Sequence, residues 1–180
     1  MIYSYDTCVK KYGTKYLLKK AVESGNIYQL EKGVYSDEEY VSEELIIASK
    51  YPKAVFTMDS AFYHYGLTDV IPEKYYLATD RNAAKIPDKR VIQVFEKSDL
   101  LTLGVNTETK NGYRISIYSR ERMLVELLRH KSKIPFDYYK EVLNNYRDII
   151  YDLDIRAIQD YAETVPKSAM IMETLQFEVL

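Results

Sequence analysis

Gly13 and Gly25 divide the start of the sequence into two short segments, and this spacing constrains the fold more than any other feature. Residues 4–11 and 14–24 each begin with a residue that can cap a helix. Glycine can end such helices because it adopts left-handed backbone angles at little cost. The chain is therefore expected to begin with two short helices. The second helix carries its apolar side chains on one side: Leu17, Leu18, Ala21 and Val22.

A small β-hairpin is expected directly after these helices. Residues 27–30 and 34–35 have the composition of short strands, and Gly33 lies in the turn between them. Two short helices followed by a hairpin are typical of a winged helix-turn-helix, a DNA-binding unit that we place at residues 1–36.

Residues 37–180 are expected to form a mixed α/β domain that ends in several helices, so the predicted fold class is α+β. Ser36 to Glu39 match a capping box, which predicts a helix that ends before Pro52. Asn111-Gly112 is a typical hairpin turn. Strands are expected at residues 75–78, 91–95 and 114–118, and the later helices at 58–65, 119–131, 135–150, 154–165 and 169–179.

The composition excludes several classes of protein. No apolar segment approaches the roughly 18 residues of a membrane span. The first six residues have neither the basic nor the apolar region of a secretory signal, and the lone Cys8 cannot form an internal disulfide. We therefore expect a cytoplasmic protein with no membrane partner. Cys8 is expected to be a small buried or half-buried residue and not a nucleophile.

Basic residues are concentrated in two segments of a chain whose net charge is only −2. Residues 1–35 hold six lysines against three acidic residues. Because they include no arginine, contact with phosphates is favoured over readout of guanine. A solvated polar face is the alternative. The predicted DNA-binding residues are Thr14, Lys15, Tyr16, Lys19, Lys20, Gln29 and Lys32.

The second basic segment, residues 110–134, holds seven basic residues against two acidic ones. Its expected helix gathers four charged side chains on a stripe away from the leucines, and we expect this stripe to face outward. It would form the functional surface of the C-terminal domain, or else a solvated face. The basic members of this predicted surface are Arg122, Arg129 and Lys133.

Three segments resemble the AbiE-type (AbiEi-like) family of abortive-infection antitoxins. They are "LKKAVESGNIYQLEKGVY" at residues 18–35, "TMDSAFYHYGLTDVIP" at 57–72 and "IYSRERMLVELL" at 117–128. Family members usually have one more helix before the helix that we start at Ser4, and we expect that helix to be missing here.

The resemblance implies a winged-helix transcriptional regulator of a type IV toxin-antitoxin system. Such a protein represses its own operon and opposes a nucleotidyltransferase-like toxin in phage abortive infection, without needing a stable complex with it. The expected partners are that toxin and duplex DNA, with two copies of the chain bound to an inverted repeat in the operator.

Enzymatic function has less support in the sequence, and we expect no catalytic residues, no metal and no cofactor. Two histidines and one cysteine cannot form a zinc finger, and no phosphate-binding glycine motif occurs. One alternative is a metal-dependent nuclease, because Pro87-Asp88 with residues 108–110 matches a P-D…[DE]-x-K pattern. The other is a winged helix that binds only proteins.

Overall fold

The computed structural model describes residues 1–110 and 112–179. The fold is α+β, as predicted: N-terminal helices with a small sheet, a central mixed sheet of five strands, and C-terminal helices. The strands are β1 (Ile2–Ser4), β2 (Tyr28–Glu31), β3 (Val34–Ser36), β4 (Val55–Phe56), β5 (Tyr75–Asp80), β6 (Val91–Glu96), β7 (Val105–Lys110) and β8 (Tyr113–Tyr118). The helices are α1 (Tyr5–Tyr12), α2 (Lys15–Glu23), α3 (Glu43–Lys50), α4 (Met58–His64), α5 (Ser98–Leu101), α6 (Arg120–Arg129), α7 (Phe136–Ile149), α8 (Ile155–Thr164) and α9 (Ser168–Thr174).

The chain divides into two compact units. The smaller consists of Met1–Pro52 and Thr107–Ile115, and the larger of Lys53–Asn106 and Ser116–Leu180. Our division of the chain after residue 36 concerns function and stays a prediction. Two residues of the predicted C-terminal domain, Asn111 and Leu180, lie outside the described residues, and with Asn111 so does half of the predicted Asn111-Gly112 turn.

The first two helices begin and end at the residues that the sequence predicts. The Ser4 hydroxyl accepts a hydrogen bond from the Thr7 amide at 3.2 Å and caps α1. Gly13 ends α1 with a φ of 91°. The Thr14 hydroxyl caps α2 in the same way, by accepting from the Leu17 amide at 3.2 Å. These local signals specify both helices.

The small sheet contains one strand that the sequence does not reveal. Strands β2 and β3 form the predicted hairpin, and β1 pairs antiparallel with β3, so that the order is β1-β3-β2. β1 has only three residues, and its partner lies about thirty residues further along the chain. Neighbouring residues carry no signal for such a pairing.

The core of the smaller unit joins its helices to its sheet. The buried cluster contains residues of α1, α2 and the hairpin, and burial raises the pKa of the Cys8 thiol. The expectation that Cys8 is a buried residue is therefore confirmed. Because these elements share one core, α2 and the hairpin hold fixed positions relative to each other. The cluster consists of Cys8, Leu18, Ala21, Ile27 and Tyr35.

The sequence predicts that a helix begins at the capping box, and this predicted start is wrong. Ser36 belongs to β3, where it pairs with Ile2 and Tyr28, and α3 begins only at Glu43. The Ser36 hydroxyl does accept a hydrogen bond from the Glu38 amide at 2.9 Å, but this bond closes a turn. Pairing within the sheet thus overrides the local preference for a helix.

The central sheet has the order β6-β5-β4-β8-β7. β5 runs parallel to β6 and antiparallel to β4, while β4 runs parallel to β8. The strands predicted at β5, β6 and β8 are confirmed. β4 and β7 were not predicted, because β4 has two residues and β7 is mostly polar.

The C-terminal helices agree with the sequence to within about two residues at most ends. Ser119 and Asp154 cap α6 and α8 through their side chains. The last amphipathic segment forms α9 followed by a π-helical turn at Leu175–Val179. None of the helices described in residues 1–110 and 112–179 combines the length and the apolar character of a membrane span.

Candidate nucleic-acid interface

All seven predicted DNA-binding residues are exposed. Four of them lie on α2, whose opposite side buries Leu18 and Ala21 in the core. The apolar side therefore fixes the rotation of the helix, and the lysines face solvent. The exposed α2 residues are Lys15, Tyr16, Lys19 and Lys20.

The charge of this face is weakly neutralised. Lys19 lies 3.7 Å from Glu23, one turn away, in a pair that is largely exposed to water. The Lys20 ammonium lies 5.0 Å from the centre of the Tyr16 ring, a cation-π contact. Among the described residues, Lys15 and Lys20 form no ion pair. Such cations are available to an anionic partner.

Leu17 is a candidate interface residue that the sequence did not identify. Its place at the edge of the apolar side predicted burial, but 47% of its surface is exposed. Tyr16, beside it, is 64% exposed. Apolar and aromatic side chains next to lysines suit contact with bases as well as phosphates. The position of Leu17 at the edge of the apolar side was the available signal.

The hairpin contributes two further exposed residues, Gln29 and Lys32. Lys32 lies in the turn between β2 and β3, beside Gly33 with its φ of 84°. The Gln29 side chain donates a weak hydrogen bond of 3.4 Å to the Glu31 carbonyl. The Thr14 hydroxyl, by contrast, already accepts the capping bond of α2. Lys32 is therefore the clearest cationic contact that the hairpin offers.

The second basic segment is not the outward stripe that we predicted. The Arg122 side chain has no exposed surface and lies inside the larger unit. It forms an ion pair of 2.8 Å with Glu126 and lies 3.8 Å from Glu96. Its guanidinium also stacks over the Tyr118 ring at 4.9 Å. The prediction that Arg122 faces outward is wrong, because α6 is packed on nearly every side.

The other two residues of the stripe differ from each other. Arg129 is largely buried and binds Glu96 at 2.8 Å and Glu126 at 3.1 Å. Lys133 is exposed, in a short 3₁₀ turn after α6. Of the predicted functional surface, Lys133 alone keeps a fully accessible charge in the described structure. The role of the three residues in function stays a prediction.

Asp88 and Lys110, which match the nuclease pattern, form hydrogen bonds and ion pairs with other side chains. Asp88 accepts two hydrogen bonds from the Arg90 side chain, at 2.8 and 3.0 Å. Glu108 and Lys110 lie in β7, in the other compact unit, and Lys110 pairs with Glu44 at 2.9 Å. Within residues 1–110 and 112–179, no group of three or more His, Cys, Asp or Glu side chains could hold a metal ion.

The chain was also compared with known proteins. No family model and no curated protein matches the sequence. The structure is similar to the crystal structure of the Rv2827c protein from Mycobacterium tuberculosis, with a TM-score of 0.61 over 98% of this chain and 71% of that chain. The sequence identity is 14%, so the likeness concerns the fold alone.

Proposed function

We propose that this chain is a DNA-binding, antitoxin-like repressor of its own toxin-antitoxin operon. The observation that carries the proposal is the cationic face of α2, exposed beside a hairpin that presents Lys32. In this proposal α1, α2 and the small sheet act as a winged helix-turn-helix. The helix α2 enters the major groove, and the β2-β3 hairpin is the wing that reaches a neighbouring phosphate.

The chemistry of the face favours affinity over sequence readout. Lysines neutralise phosphates and release counterions, whereas arginine forms the bidentate contact to guanine. The face has four lysines, counting Lys32 on the wing, and no arginine. Tyr16 and Leu17 supply apolar contact with bases. We therefore expect modest discrimination by one copy of the chain.

The proposal is tested with the duplex that lies upstream of the chain's own gene. Fluorescence anisotropy should show binding by the native chain and a loss of at least about tenfold in affinity for Lys15→Ala/Lys19→Ala/Lys20→Ala. The matched control is Lys53→Ala/Lys85→Ala/Lys89→Ala, which removes three exposed lysines from the larger unit. Equal affinity of the two triple variants would refute the proposal and favour a winged helix that binds only proteins.

Two copies are proposed to bind an inverted repeat, because one recognition helix reads only a few base pairs. Footprinting should then show two protected half-sites related by symmetry, one or more helical turns apart. A single asymmetric site with one chain per duplex would contradict this arrangement.

The proposed opposition to a nucleotidyltransferase-like toxin rests on the resemblance of three segments to AbiE-type antitoxins. It is tested by growth of cells that express the toxin encoded beside the chain's gene. The triple α2 variant should lose repression of the operon but still protect these cells, because the toxin is opposed through the C-terminal domain. Loss of both functions in a folded variant would contradict the assignment of repression to α2 and of protection to the C-terminal domain.

A further inference from the structure

A cavity of about 450 Å³ lies within the larger unit. It is formed by the start of α4, the strands β5 and β6, the segment between α6 and α7, and the first turn of α7. Its volume is within the range of about 300–1,000 Å³ that small-molecule sites occupy. Valine, isoleucine, proline and methionine form its walls. The polar side chains that line it are Asp59, Tyr76, His130, Lys133 and Tyr138.

Backbone contacts hold Asp59 at this cavity. The Thr57 amide donates to the Tyr76 carbonyl at 3.0 Å, and the Tyr76 amide donates to the Ser60 hydroxyl at 2.8 Å. These two bonds fasten the start of α4 to β5. Met58 between them has a φ of 44°, a rare value for a residue with a side chain. Backbone strain of this kind collects at binding sites.

Asp59 lies near two phenols and forms no ion pair among the described residues. Burial raises the pKa of its carboxyl, while the nearby phenols of Tyr76 and Tyr138 act in the opposite direction. The Tyr138 hydroxyl is buried and has no hydrogen-bond partner among the described residues. In the described part of the chain, no lysine, arginine or histidine forms an ion pair with it. A carboxylate has about four acceptor positions, which leaves room for donors beyond the two nearby phenols. Asp59 can therefore accept hydrogen bonds from a ligand.

The cavity also has a basic side. His130 ends α6 and binds Glu126 at 3.1 Å through Nε2, which leaves Nδ1 unused by that contact. Lys133 follows in the 3₁₀ turn, exposed and without an ion pair among residues that the structure describes. A fitting ligand thus combines hydrogen-bond donors, an apolar surface and an anion.

We propose that this cavity binds a guanine nucleotide. The N1–H and the 2-amino group of guanine are adjacent donors that match the two oxygens of the Asp59 carboxylate. The apolar walls cover the base, and the phosphate faces Lys133 and His130. The proposal is independent of DNA binding, because every residue that it uses lies in the unit without α2.

Calorimetric titration of the full chain with GMP, guanosine and IMP tests the proposal. GMP is expected to bind, and IMP, which lacks the 2-amino group, to bind about tenfold more weakly. Asp59→Asn should weaken GMP and guanosine alike by about tenfold or more. Lys133→Gln should weaken GMP severalfold and leave guanosine unchanged, because guanosine has no phosphate. Lys140→Gln, which removes an exposed lysine of α7, is the matched control and should change neither.

Val70→Trp provides a second variant that does not alter a charge. Val70 lies at the rim of the cavity and is 52% exposed, so a larger side chain can be accepted there without disturbing the core. It should block GMP while thermal unfolding stays unchanged. The proposal is overturned if the folded chain does not bind GMP at millimolar concentration or binds UMP equally well. It is also overturned if inorganic phosphate competes fully with GMP while Asp59→Asn has no effect.

Discussion

Arg122 has no exposed surface, and two carboxylates balance its charge inside the protein. Glu126 is the centre of this cluster, since Arg122, Arg129 and His130 all contact it. Burial alone would raise the pKa of the Glu126 carboxyl. The hydrogen bond from His130 and the two arginine charges outweigh burial and hold that pKa at about 2.

Replacing Arg122 with alanine is expected to lower the free energy of unfolding by about 3–5 kcal/mol, because Glu126 and Glu96 would remain buried without their partner. Urea unfolding followed by circular dichroism measures the change. Lys133→Ala removes an exposed charge nearby and should stay within about 0.5 kcal/mol of the native chain. Equal effects of the two variants would contradict the buried cluster.

The same cluster predicts a pH dependence of stability. The pKa of Glu126 is lower in the folded chain than its ordinary value of 4.5. The folded state therefore gains stability from this group above about pH 4.5 and loses it as the pH falls toward about 2. Glu126→Gln should be less stable than the native chain at pH 7, and the difference should shrink steadily between pH 5 and pH 2. A constant difference would contradict the lowered pKa.

Replacing Gly104, which lies beside Arg122, is expected to lower the free energy of unfolding more than replacing a glycine in open space. A Cβ at Gly104 would lie 2.7 Å from the Arg122 Cβ, and φ is +70°. Gly66 has a similar φ of +66° but open space around it. Gly66→Ala should therefore cost only about 1 kcal/mol of backbone strain, while Gly104→Ala should cost about 1–3 kcal/mol more. Similar unfolding free energies for both variants would show that the contact with Arg122 is unimportant.

At the scale of elements, the helices are predictable because their signals are local. Ser4, Thr14, Ser119 and Asp154 cap helices through hydrogen bonds that reach only three residues along the chain. Strand pairing is not local, and β1 was missed for that reason, while β4 is too short and β7 too polar to be recognised. At Ser36 the sheet even overrode a good capping box.

The sequence could predict the part of the candidate interface that depends on one face of a single helix. α2 has a single buried side, so its lysines had to be exposed. α6 is surrounded by the rest of its unit, and periodicity alone could not show that Arg122 and Arg129 pair with Glu96 at the end of β6. The position of Asp59 in a cavity depends on β5 and α7 and had no signal in its own segment.

The capping residues at the starts of α2 and α3 should differ in how much their side chains contribute to the free energy of unfolding. Thr14 caps α2 through its hydroxyl, whereas Ser42, at the start of α3, makes no capping bond and its hydroxyl is buried without a partner. Thr14→Ala should cost about 1 kcal/mol of unfolding free energy, and Ser42→Ala close to nothing. Chemical denaturation measures both. A larger loss for Ser42→Ala would contradict the described helix starts.

Across the whole molecule, charge is distributed unevenly. The chain has a net charge of −2, yet its smaller unit presents the lysines of α2 and the hairpin to solvent. A nearly neutral protein can attract a polyanion at such a local cluster of lysines. The proposed repressor function depends on that local charge.

The salt dependence of binding to the upstream duplex tests this claim most directly. Each neutralised phosphate contributes about −0.9 to the slope of log K against log salt concentration. The slope for Lys15→Ala/Lys19→Ala/Lys20→Ala should therefore be smaller than the native slope by about 2–3, while Lys53→Ala/Lys85→Ala/Lys89→Ala should keep the native slope. An unchanged slope in the α2 variant would contradict the assignment of α2 as the DNA-binding helix.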